Sequence, residues 1–197
     1  MSNTNSPNGF QYYGRLEGGS PTEGLTRQFI SSGDTNALGY GDPVVRLSSG
    51  YVQAQTTSAS GINGIFYGCT YVSSVLGRTV WQNYWAGAGG ATGDVTVYIC
   101  DDPDAQFVVQ SDNTAISFGN IGMNVATVLG TPNSTTQFST AAIGQSTVST
   151  TNTLPFRIVG QLSQTAPPGM NGTDNTSAFN RVIVAPNNWD RKNLTGI

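Results

Sequence analysis

The residues best suited to chemistry are few. Three aspartates crowd the stretch Asp101-Asp102-Pro103-Asp104, three aromatics stand at Trp81, Tyr84 and Trp85, and the two cysteines are Cys69 and Cys100. The 197 residues include no histidine, one lysine (Lys192) and two glutamates (Glu17 and Glu23). Without imidazole there is no Ser-His-Asp or Cys-His relay and no histidine metal ligand. A calcium loop of the EF-hand type needs oxygen ligands at alternate positions and a closing glutamate. Pro103 interrupts the aspartate run and no glutamate follows it. Turn chemistry explains these residues, because proline and aspartate end strands. A glycosidase needs two carboxylates flanking one sugar bond, and nothing singles out a pair among the eleven acids. No set of residues supplies nucleophile, base and orienting group together. The chain is therefore expected to be no enzyme, with no catalytic residues, no metal and no cofactor.

The aromatics have two readings. In a strand Trp81 and Trp85 share parity and one face, with Tyr84 on the other. Tyr67 and Tyr71 lie on the expected partner strand. The group packs a sandwich core, or it is exposed and forms an interface or a sugar site. The cysteines fall in separate strand-like runs that would neighbour each other in a sheet. They are expected to be buried, reduced thiols.

Composition sets the frame for these residues. Only 10% of the chain is charged, against about 25% in ordinary soluble domains. Neutral polar residues take that place: 19 Ser, 24 Thr, 17 Asn and 11 Gln, with 25 Gly. A net charge of −3 argues against nucleic-acid binding, which draws its affinity from Lys and Arg on phosphates. Few Glu, Lys and Arg also disfavour helices. No apolar run approaches the roughly 20 residues of a membrane helix, so no membrane partner is expected. Residues 1–7 lack the basic start and apolar run of a signal peptide, so synthesis in a cytosol is expected.

The elements that must position these residues are short strands. Val44–Leu47, Tyr51–Ala54, Gly61–Val72, Thr79–Trp85, Asp94–Cys100, Gln106–Gln110, Ala115–Ser117, Asn124–Leu129, Leu154–Gly160 and Phe179–Ala185 are β-branched or aromatic and bounded by turn residues. The runs 61–72 and 79–85 read as a hairpin. Residues 130–153 read as a surface loop or weak strands, and Ala166-Pro167-Pro168-Gly169 opens a second loop. The expected fold is all-β, a β-barrel or jelly-roll-like sandwich with long loops. Residues 1–35 are expected to form an extended N-terminal arm, 36–186 the body and 187–197 a C-terminal tail.

The order of these segments resembles a known family. Gly41-Asp42-Pro43-Val44-Val45 is followed by Ile62-Asn63-Gly64-Ile65-Phe66-Tyr67-Gly68-Cys69-Thr70-Tyr71, then Asn83-Tyr84-Trp85 and Val97-Tyr98-Ile99-Cys100-Asp101-Asp102-Pro103. Phe107-Val108-Val109-Gln110, Leu154-Pro155-Phe156-Arg157-Ile158-Val159-Gly160 and Arg181-Val182-Ile183-Val184 complete the series. Over roughly residues 38–185 the chain resembles the capsid decoration, or cement, proteins of tailed bacteriophages. The resembling segments are strand cores and turns, not a reactive signature.

The resemblance implies a virion protein, assembled in the host cytoplasm, on the capsid exterior. There it would bind the major capsid protein and clamp neighbouring subunits of an icosahedral head. A homodimer or homotrimer would reinforce weak contacts. Phe10, Tyr12, Tyr13, Arg15 and Leu16 are the expected capsid anchors in the arm, since aromatics and arginine dominate binding energy. Deleting residues 1–20 would then leave a folded body that no longer binds capsids. The alternative is a carbohydrate- or receptor-binding sandwich of a tail fibre or lectin-like module, with Trp81, Tyr84 and Trp85 as interface aromatics.

Overall fold

The computed structural model describes residues 3–18, 24–162 and 173–192. Residues 19–23, 163–172 and 193–197, which belong to the expected arm, second loop and tail, lie outside the described residues. The chain is an all-β sandwich, and the strands of the described residues do not close into a barrel. In the first sheet β1 (Gln11–Arg15), β8 (Ala105–Gln110), β13 (Arg181–Pro186), β12 (Phe156–Gln161) and β9 (Asn124–Val125) lie side by side, every pair antiparallel. In the second the order is β2 (Thr26–Ile30), β7 (Val95–Cys100), β5 (Gly64–Val72), β3 (Pro43–Arg46) and β4 (Val52–Ala54), with β6 (Thr79–Gln82) also paired to β5. A short ladder joins β10 (Thr127–Val128) to β11 (Ala142–Ile143).

The nine residues of β5 organise the second sheet. One edge pairs with β7, and the other is shared by β3 at its start and β6 at its end. The expected hairpin of 61–72 with 79–85 is present as β5–β6, with Thr70 opposite Trp81. A bulge at Tyr67, where the register steps from Phe66 to Gly68, adds local twist and redirects the following side chains.

Two cores result. The first gathers Phe10, Ile65, Tyr67, Cys100, Phe107, Phe156, Ile158, Val182, Val184 and Trp189 from both sheets. The second, around Ile30, Val44, Phe66, Cys69, Trp85, Val95, Val97 and Ile99, packs on one face of the second sheet. Arg46 reaches across that sheet to donate to Gln28 Oε1 at 2.8 Å, linking the β3 side to edge strand β2.

Several boundaries expected from the sequence move. Residues 3–18 are not a free arm. Phe10 is fully buried and stacked on Phe156, with ring centroids 4.3 Å apart, and β1 pairs with β8. The physical reason is that the β8 edge and the Phe10 site would otherwise be open to water. Residues 26–30 are also sheet, as β2. The start of the expected tail is core too: Trp189 is buried and packs on Phe107 and Phe156. Residues 115–117 form no strand and lead into a 3-10 turn at Phe118–Asn120.

The cysteines are both buried and form no disulfide with each other, and they sit on adjacent strands but belong to different cores. Cys69 pairs with Val97 and Cys100 with Ile65. Burial pushes the Cys69 thiol up to about 12, so its thiolate, the reactive form, is scarce near neutrality. Folded protein should not be modified at Cys69 by an aromatic disulfide reagent at neutral pH, and denaturation should expose both thiols. Rapid labelling of Cys69 in the native state would contradict this packing.

Candidate interaction surfaces

The aspartate cluster is occupied by the protein itself. Asp101 is buried, faces the Arg191 guanidinium at 2.8 Å and accepts the Thr26 hydroxyl at 2.8 Å. Arg15 Nε lies 2.9 Å from Asp102, with Asp104 at 3.8 Å. Arg15, expected as a capsid anchor, instead directs its charge to the turn that leads into β8. Tyr12 rests edge-on against Phe107 at 6.2 Å, so with Phe10 it faces the body too. Tyr13, the extra residue of a bulge in β1, and Leu16 are the two expected anchors that are exposed.

The aromatic trio separates. A bend at Asn83, just after β6 ends at Gln82, breaks the strand parity. Trp85 therefore turns inward, bridges Leu38 and meets Tyr71 edge-on at 5.3 Å in the second core. Tyr84 is half-buried. Trp81 stays on the outer face and is 54% exposed.

Two turns present apolar side chains to water on well-fixed backbone. The first joins β5 to β6. There Ser73 N–H donates to Arg78 O at 3.0 Å, Gly77 N–H to Ser73 O at 2.9 Å and Leu76 N–H to Ser73 Oγ at 3.2 Å. Ser74 braces it on the neighbouring loop, its hydroxyl donating to Gly89 O at 2.9 Å. At its tip Val75 is 88% exposed, and Leu76 beside it is exposed as well.

No family model, curated protein or solved structure matches this chain.

The second turn follows β8. Ile116 is buried, and its peptide is pinned on both sides. Its N–H donates to Asn180 Oδ1 at 3.0 Å, and its carbonyl accepts from Gln161 Nε2 at 2.7 Å and Asn180 Nδ2 at 2.9 Å. Asn120 Oδ1 then accepts both the N–H and the hydroxyl of Ser117 at 2.9 Å. Between these anchors Phe118 stands 78% exposed. Burying such a side chain is worth about 1.5–3 kcal/mol. A turn already ordered loses little entropy when a partner covers it. Sequence reasoning placed the first turn as the hairpin connection and read residues 115–117 as a strand, and it singled out neither turn as an interaction site. Their signal is an apolar residue at the centre of turn composition, Ser73-Ser74-Val75-Leu76-Gly77 and Ser117-Phe118-Gly119-Asn120.

Proposed function

We propose that this protein is a non-catalytic structural component of a tailed-phage virion. It attaches to the outer surface of the head and bridges neighbouring major capsid subunits. The observation that carries this reading is the pair of rigid apolar turns, one after β5 in the second sheet and one after β8 of the first. A clamp needs two attachment points, because the second engagement is then intramolecular and raises avidity. The resemblance of the strand-core segments to capsid decoration proteins and the weakly charged, amide-rich composition support the same reading. Residues 3–18 then belong to the body, and the attachment moves from Phe10, Tyr12 and Arg15 to Val75, Leu76 and Phe118.

Co-sedimentation with purified undecorated heads tests this. Leu76→Ser combined with Val75→Ser, and separately Phe118→Ala, should each lower occupancy about tenfold, as loss of a binding hot spot does. The variants should keep the wild-type unfolding midpoint. Because the contacts are apolar, occupancy should survive about 1 M salt, where charges are screened beyond about 3 Å. Full occupancy by both variants would overturn the assignment.

A further inference from the structure

A separate surface remains on the second sheet. The register places Phe29 opposite Thr96, Thr96 opposite Thr70 and Thr70 opposite Trp81, one row across β2, β7, β5 and β6. The neighbouring row holds Arg27, Tyr98 and Gly68. Three strand spacings separate Phe29 from Trp81, about 14 Å. Both end residues are 54% exposed.

The interior of the patch is ordered. Trp81 packs on Tyr98 with centroids 4.9 Å apart, and the Arg27 guanidinium lies 5.7 Å from the centre of the Tyr98 ring. Gly68 makes this arrangement possible. A Cβ there would stand 2.5 Å from Trp81 Cζ2, so only glycine lets the indole lie down across β5. The indole lies over the Gly68 backbone and against Tyr98, and about half of the residue stays open to water. Among the described residues no carboxylate forms an ion pair with Arg27.

We propose that this face binds an extended acidic oligosaccharide. The C–H-lined face of a pyranose is weakly positive at its edge hydrogens and seats on the negative face of an aromatic ring. Trp81 and Phe29 provide such rings at the two ends of the row, far enough apart for a short chain rather than a single sugar. Thr70 and Thr96 between them offer hydroxyls that both donate and accept. Arg27 supplies a charged fork for a sugar carboxylate. Arg27, which has no carboxylate ion-pair partner among the described residues, is what selects an acidic glycan over a neutral one. This reading is independent of head attachment, which uses the two turns.

The test uses the intact protein with oligogalacturonides as probe and neutral oligosaccharides of matched length as control. Trp81 is the exposed one of the three tryptophans, Trp85 and Trp189 being buried, so intrinsic fluorescence reports on this face. Oligogalacturonide should perturb the emission with saturation, and neutral sugar should bind several-fold more weakly. Trp81→Ala, followed by calorimetry, and the exposed-residue variant Phe29→Ala should each weaken binding about tenfold, as loss of an aromatic anchor does. Arg27→Gln should abolish the preference for the acid. No binding of either sugar at millimolar concentration overturns the proposal, as does equal affinity for both or undiminished binding by the Trp81 and Phe29 variants. Loss of head occupancy in Trp81→Ala without any sugar binding would assign the face to capsid protein and also overturn it.

Discussion

Removing residues 1–16 is expected to unfold the protein rather than release a tether, and Phe10→Ala alone to cost about 3–5 kcal/mol, the usual loss for a buried phenylalanine. Phe10 has no exposed surface, and its ring lies within 11° of parallel to Phe156. Its N–H donates to Gly41 O at 2.9 Å and its carbonyl accepts the Tyr67 hydroxyl at 3.4 Å. Upstream, Gln110 clasps the chain through its amide, donating to Thr4 O at 2.9 Å and accepting Ser6 N–H at 3.0 Å. Asn3 does the same toward Asp174 O at 2.8 Å and Ala178 O at 3.0 Å. Truncation would leave an apolar cavity, an unpaired β8 edge and stranded amides together. Domains are stable by only about 5–15 kcal/mol, so these losses compete with the whole. Urea unfolding of the truncated and point variants measures the effect. A truncated chain with the wild-type midpoint would restore the arm.

Strands whose inward and outward faces follow polarity were legible in the sequence. Val95–Ile99 alternates cleanly, with 95, 97 and 99 buried, and the β5–β6 pairing followed from two strong runs around a turn. The strands nearest the N-terminus were hidden because their polarity is reversed or broken. In β2 Gln28 is buried, bonded to Arg46, and Phe29 is exposed. In β1 a bulge at Tyr13 interrupts the period within five residues. Reversal of that kind removes the pattern by which a strand is recognised, and it also marks the exposed face as unusual. The aromatic trio shows the other limit. Parity holds only while the backbone stays extended, and one bend at Asn83 sends Trp85 to the core and leaves Trp81 outside. Spacing alone could not place Tyr98 against Trp81 or Phe29 at the far end of the same row, since Tyr98 reaches Trp81 through two strand pairings and Phe29 through three.

Asp42 should make the fold more stable in mild acid than at neutrality. It stands in the turn that joins the two cores. Gly41 N–H donates to Phe66 O at 2.8 Å, Phe66 N–H donates back to Asp42 O at 2.8 Å, and Gly41 O holds Phe10. The Asp42 side chain is buried and accepts Gly39 N–H at 2.7 Å and the Ser139 hydroxyl. Desolvation outweighs those two bonds and lifts the carboxyl from 3.8 to about 6. A raised carboxyl pKa means that the folded chain holds the proton more tightly than the unfolded one. The cost of the buried charge is therefore absent below about pH 4, grows between about pH 4 and pH 6, and is constant above. It amounts to about 3 kcal/mol across the window. Asp42→Asn keeps the shape and removes the titration. Other carboxyls, such as Asp174, which hydrogen bonds from Ser177 and Thr176 hold down at about 2, are common to both proteins and cancel in the difference. The stability of wild type relative to Asp42→Asn should thus rise by about 3 kcal/mol on acidification from about pH 7 to about pH 4. Urea titrations of both proteins at each pH read this directly. Parallel stability curves would show that Asp42 titrates as an ordinary exposed aspartate and that the turn binds the two cores without a buried charge.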